Sequence, residues 1–121
     1  MPQRGCVAVA ELRKRGYTDL RHWINSPGNV LCTRRGRIFI NEQIFYYPQS
    51  EWCNPFKVDD ANDSATVIAR FEWYLRDKLQ NDPNALSRFI ALRYANEIGC
   101  FCKPHESCHT DIILYYLNNI R

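Results

Sequence analysis

The sequence predicts a small α/β domain spanning residues 1–121: a three-layer sandwich with a mostly parallel, short-stranded sheet, plus a hairpin. Three observations predict it. Candidate strands and helices run in the order strand, helix, strand, hairpin, two helices, strand, helix, a pattern that favours parallel pairing. The strands outside the hairpin are short and almost wholly apolar, as in a sheet covered on both faces. A chain of 121 residues, 45% hydrophobic and 24% charged, is long enough for a core without disulfide staples.

The elements follow in order. The run Gly5-Cys6-Val7-Ala8-Val9-Ala10 fits a first buried strand, and Glu11–Tyr17, charged and carrying Gly16, reads as a connection. Thr18 is placed to cap a helix over Asp19–Asn25, with Leu20, Trp23 and Ile24 on one face. Ser26-Pro27-Gly28 stops it. A second strand covers Asn29–Thr33, and Arg37–Ile40 and Gln43–Tyr47 flank a turn at Asn41-Glu42. Ser50–Phe56 reads as irregular and Lys57–Asn62 as a polar loop. From Asp63 or Ser64 to about Gln80, Val67, Ile68, Phe71, Tyr74, Leu75 and Leu79 recur at helical spacing. Pro83 opens the next helix, with Leu86, Phe89, Ile90 and Leu92 inward. A strand at Glu97–Cys102 and a last helix burying Ile112, Ile113, Tyr116, Leu117 and Ile120 close the chain.

Half of the six cysteines fall between Gly99 and His109. On a strand Cys100 and Cys102 share a face, and Cys108 and His109 fall at the start of the following helix. Free backbone N–H groups and the positive end of the helix dipole stabilise a thiolate or an anion there. Three uses of this junction compete. Cys102 and Cys108, with Cys100 or His109, offer sulfur and imidazole to zinc. Alternatively Cys108 is a reactive thiol and His109 an acid/base beside an anion pocket. In the plainest case the cysteines are small core residues and His109 caps the helix. His105-Glu106-Ser107-Cys108-His109 spells H-E-x-x-H, but Pro104 and Ser107 mark a helix only beginning, so a metalloprotease is not expected. A zinc deaminase is not expected either, for want of a Pro-Cys-x-x-Cys run.

In an α/β sheet ligands bind outside the carboxyl ends of the strands. That rule brings Thr33–Arg37 to the edge that carries Cys102–His109. One of Arg34, Arg35 and Arg37 is expected to hold a phosphate or carboxylate. Arg34, with the helix N-terminus, is assigned to the anionic group, and Asn54, Cys102 and Asp111 are expected as further ligand-binding residues. Asn54, in Asn54-Pro55-Phe56, is a candidate to orient the ligand, and Trp52 is the expected stacking residue among three tryptophans read as core or cleft walls. Asp111, in the first turn of the last helix, suits dipole compensation or a contact to His109 or an arginine.

Composition narrows the partner. A net charge of +3 admits an anionic small molecule such as a nucleotide, and supports nucleic acid only weakly. No apolar stretch approaches the roughly 20 residues that span a bilayer. The run Cys6–Ala10 is too short for a signal-peptide core. An intracellular protein with reduced cysteines and no membrane partner is therefore expected.

The chain also resembles a family of small uncharacterised domains found in phages, large DNA viruses, bacteria and some eukaryotes. The resemblance rests on Leu12-Arg13-Lys14-Arg15-Gly16-Tyr17, Val30-Leu31-Cys32-Thr33-Arg34, Cys53-Asn54-Pro55-Phe56, and the block Gly99-Cys100-Phe101-Cys102-Lys103-Pro104 with Cys108-His109-Thr110-Asp111-Ile112-Ile113-Leu114. Cys32-Thr33 departs from the usual Ile-Gly, and Cys53 from Gly or Ala. The resemblance implies one compact α/β domain and a functional set of Arg34, Asn54, Cys100, Cys102, Cys108, His109 and Asp111. It implies no established activity; its phage and viral occurrence associates it with nucleotide or nucleic-acid metabolism.

Overall fold

A computed structural model of the chain describes residues 1–120. Three strands form a parallel sheet in the order β1, β5, β2: β1 is Gln3–Cys6, β2 Asn29–Leu31 and β5 Glu97–Cys100. Cys6 lies level with Cys100, and Leu31 with Gly99. Val7 N–H donates to the Cys100 carbonyl at 2.8 Å and Cys32 N–H to the Gly99 carbonyl at 2.9 Å. All three strands therefore finish at one edge.

β5 is the central strand, and its alternation sets the layers. Ile98 is fully buried against α3 (Ser64–Asn81), α4 (Pro83–Ala91) and α5 (His109–Asn119), in a cluster with Phe71, Leu75, Phe89, Ile113 and Leu117. Gly99 faces the other way. A Cβ there would run into the Trp23 ring and come within 2.9 Å of Val7, so the bare backbone is what admits Trp23. That second cluster holds Val7, Leu12, Leu20 and Trp23, from α1 (Val9–Lys14) and α2 (Leu20–Asn25). Helices thus cover both faces, and the hairpin of β3 (Gly36–Ile40) and β4 (Gln43–Tyr47) lays Ile38, Phe45 and Tyr47 against the second cluster. The small α/β sandwich with a parallel sheet and a separate hairpin is the fold expected from sequence.

Boundaries differ from expectation at four places. The first strand runs over Gln3–Cys6 rather than Gly5–Ala10, and Val9–Lys14, expected as strand end and connection, is helical. Its one buried side chain is Leu12, and a helix of fewer than two turns with one apolar contact leaves no periodic signal. The α2 cap is Asp19, not Thr18: Asp19 Oδ1 accepts from the His22 N–H at 2.9 Å. The second strand ends at Leu31 rather than Thr33, and the last strand at Cys100 rather than Cys102, where the chain bends.

The other helix ends follow their caps. Asp63 accepts from Thr66 N–H at 2.8 Å, and Asp82 accepts from Asn84 and Ala85 N–H ahead of a helix that begins with Pro83. Asn41 (φ 51°) and Glu42 (φ 66°) make the hairpin turn in the left-handed region, as a two-residue turn with two positive φ values requires. Among the described residues no helix is long and apolar enough to cross a membrane.

Candidate functional site at the strand ends

The parallel register carries β2 and β5 to the same edge, and the segments that leave them enclose a pocket of about 360 Å³. Thr33, Arg34 and Arg35 line one side. Ser64, Val67 and Ile68 of the α3 start line another. Cys100, Phe101, Cys102, Ser107, Cys108 and His109 form the third. The N-termini of two helices, α3 and α5, therefore open onto one cavity beside two guanidinium groups. Arginine and the N–H groups left over by the capping carboxylates of Asp63 and Asp111 favour an anion. The volume lies in the range of small-molecule sites.

The sulfur atoms of Cys100, Cys102 and Cys108 lie within 4.8 Å of one another. Cys100 and Cys108 are buried and Cys102 is half-buried, and all three are free thiols. They arrive from three different places: the end of β5, the bend after it, and the N-cap of α5. The bend, rather than a continued strand face, brings Cys102 to the group. Hydrogen bonding from Cys100 holds the Cys108 thiol below its ordinary range, against the opposing effect of burial. Cys100 is pushed up by the same hydrogen bond and by burial, and Cys102 by burial. Burial above all, with the neighbouring thiols adding to it against a hydrogen bond with Ser50, pushes Cys32 up to about 12, so that thiol stays protonated.

His109 is fixed on both sides. Its Nε2 lies 2.8 Å from the Cys32 carbonyl oxygen. A carbonyl can only accept, so Nε2 carries the proton and donates. That leaves the Nδ1 lone pair facing Cys108 Sγ at 3.6 Å. The ring also meets Phe71 edge-on, with centroids 5.0 Å apart. Burial holds the imidazole below its ordinary pKa, so it is neutral at neutral pH.

The arginines divide. Arg34 and Arg35 line the pocket, whereas Arg37 lies within β3, paired with Tyr46, and does not. Arg34 Nη1 donates to the Asn54 carbonyl at 2.6 Å and to the Phe56 carbonyl at 3.4 Å, latching that loop. Arg35 takes part in no side-chain hydrogen bond or ion pair among the described residues, which leaves its guanidinium free for a ligand. Asn54 lines the pocket with its amide already engaged: Nδ2 donates to the Val67 carbonyl and Oδ1 accepts from Phe56 N–H. Asp111 is not among the lining residues. Its carboxylate accepts from Cys108 N–H at 3.0 Å and pairs with Arg4 at 3.0 Å.

Two tryptophan expectations need correction. Trp52 is buried edge-on against Phe89, so it cannot stack on a ligand. Trp73, expected as core or cleft wall, is exposed on α3 under Arg76. The H-E-x-x-H string is not a helical motif, because α5 begins only at His109 and His105 lies in the exposed loop.

Arg4 is the residue that sequence reasoning missed. It stands on β1, level with Ile98. Its guanidinium bridges Asp111 and the Lys103 carbonyl, the latter at 2.7 Å. It thereby ties the two ends of the loop that carries Cys102 and Cys108. Only its position in a strand beside the cysteine strand could have signalled this. Tyr47 and Phe101 were also unmarked; both line the pocket, with ring centroids 5.8 Å apart.

A family model described as a domain of unknown function, DUF4326, matches residues 17–119. No curated protein and no solved structure matches the chain.

Proposed function

This chain belongs to the DUF4326 family of domains of unknown function, and we propose that it binds a small anionic ligand of the nucleotide class in the strand-end pocket. The observation that carries the proposal is the meeting of Arg34, Arg35 and the N-termini of α3 and α5 on one cavity. Arg35 meets the charged group of the ligand and Arg34 holds the Asn54-Pro55-Phe56 wall in place. Asn54 orients the ligand through that wall rather than by direct contact, and Asp111 holds the start of α5. Cys108 and His109 are the reactive pair at the far end, where Cys100 and Cys102 also face the cavity. Phe101 and Tyr47 suit the less polar part of a ligand whose charged end lies between the arginines.

Calorimetric titration with inorganic pyrophosphate and with a nucleoside triphosphate tests the proposal. Binding of either is expected to weaken roughly tenfold or more in Arg35→Gln, since a charge-assisted hydrogen bond contributes about 1.5–3 kcal/mol. Arg37→Gln, outside the pocket, is expected to change little. Absence of binding by the wild-type chain, or equal loss in both variants, would overturn it.

A further inference from the structure

We propose that Cys100, Cys102 and Cys108 form a three-thiolate site for a zinc-class divalent ion whose fourth coordination position opens into the pocket. The inference does not depend on the anionic ligand, and it replaces the free reactive thiol of Cys108 with a metal-bound thiolate. It rests on the convergence of three free thiols from a strand end, a bend and a helix cap, within 4.8 Å of one another. Among the described residues this is the one such group. A zinc–sulfur bond of about 2.3 Å in tetrahedral geometry sets sulfur–sulfur separations near roughly 3.8 Å. The thiols therefore have to close by at most about 1 Å, within the reach of side-chain rotation and of the bend that carries Cys102.

Among the described residues no further His, Cys, Asp or Glu joins the group. His109 Nδ1 lies 3.6 Å from Cys108 Sγ, yet it stands outside the group. Its ring is held by the bond to the Cys32 carbonyl and by Phe71, so moving it onto the ion would break a buried hydrogen bond. All three cysteines line the cavity, and the remaining position therefore faces the pocket. Three protein ligands and one open position characterise ions that meet a ligand or water, as opposed to closed structural sites. Three thiolates outweigh the charge of a divalent ion. Arg4, whose Nε is buried without a partner, lies beside them and supplies positive charge that Asp111 offsets in part.

Cobalt(II) is the probe, added to the reduced, chelator-treated full chain. The expected result is stoichiometric binding with near-ultraviolet sulfur-to-cobalt charge transfer and intense four-coordinate visible bands, which shift when azide is added. Cys102→Ala should lose both features or weaken binding at least about tenfold, while Cys53→Ala, outside the group, should keep them. A folded chain that takes up no stoichiometric cobalt overturns the proposal. So do visible bands that ignore azide and change in His109→Ala, because they would mean a closed site with His109 as fourth ligand. Azide reads the open position directly, so failure of pyrophosphate binding would leave this result standing.

Discussion

At the scale of single residues, the site depends on groups whose partners are far away in sequence. Arg4 and Asp111 are separated by 107 positions, and neither residue type is unusual in a strand or a first helical turn. Charge in a β-strand reads as an exposed edge; here the arginine side chain is largely buried and anchors the thiol loop. Arg4→Met keeps much of the apolar stem and removes the fork. It is expected to lower stability by about 1–2 kcal/mol in chemical denaturation, and to speed exchange of the amides from Lys103 to Asp111. A variant as stable as wild type, with unchanged exchange, would show that the bridge holds nothing. Spacing alone placed Cys100 at a strand end and Cys108 and His109 at a helix start, whereas Cys102 lies in the bend beyond the strand. Their convergence within 4.8 Å was not legible, because it depends on the bend at Phe101-Cys102. Arg34 and Arg35 could be placed at the right edge by the parallel-sheet rule, but not told apart. What separates them is the pair of backbone carbonyls that Arg34 takes.

At the scale of elements, long periodic segments and strong punctuation were readable and short ones were not. The eighteen residues of α3 repeat their apolar positions over several turns, and Pro83 marks the start of α4. The six residues of α1 contain one buried position, and the preceding apolar run imitates a longer strand. The hairpin turn was placed correctly at Asn41-Glu42 despite its second residue. Glu42 at φ 66° bears the steric cost of a side chain in left-handed backbone. Its side chain is exposed, so Glu42→Gly is expected to stabilise the chain by about 0.5–1 kcal/mol. A higher denaturation midpoint with an unchanged slope would bear this out, and a lower midpoint would contradict it. The loop between β4 and α3 is tied down by Glu51, which accepts from Arg88 at 2.6 Å and faces Lys78 at 3.6 Å. The Arg88 hydrogen bond holds the Glu51 carboxyl below its ordinary value. A carboxyl depressed in the folded state adds stability above its unfolded pKa, about 4.3, and loses it as pH falls through the folded value. The stability difference between wild type and Glu51→Gln should therefore be present at pH 6 and shrink below about pH 4. A difference independent of pH would remove the pair from the account.

At the scale of the whole molecule, the topology explains why function gathers at one edge. Three parallel strands ending together leave their outgoing segments on a common side, and two helices begin there. The layer order was legible from the alternation of strands and helices, although β1 proved to be Gln3–Cys6 rather than the apolar run Gly5–Ala10. A second and larger cavity, about 870 Å³, lies between α1, α2 and the hairpin, and it contains neither the thiols nor Arg34 and Arg35. The account therefore places ligand recognition at the strand ends and leaves the larger cavity aside. Amide chemical-shift mapping during titration with inorganic pyrophosphate compares the two cavities in one experiment. The account predicts saturable shifts concentrated in Thr33–Arg35, Ser64–Ile68 and Phe101–His109; shifts confined to Val7–Leu20 and Ile38–Asn41, or scattered without saturation, would contradict it.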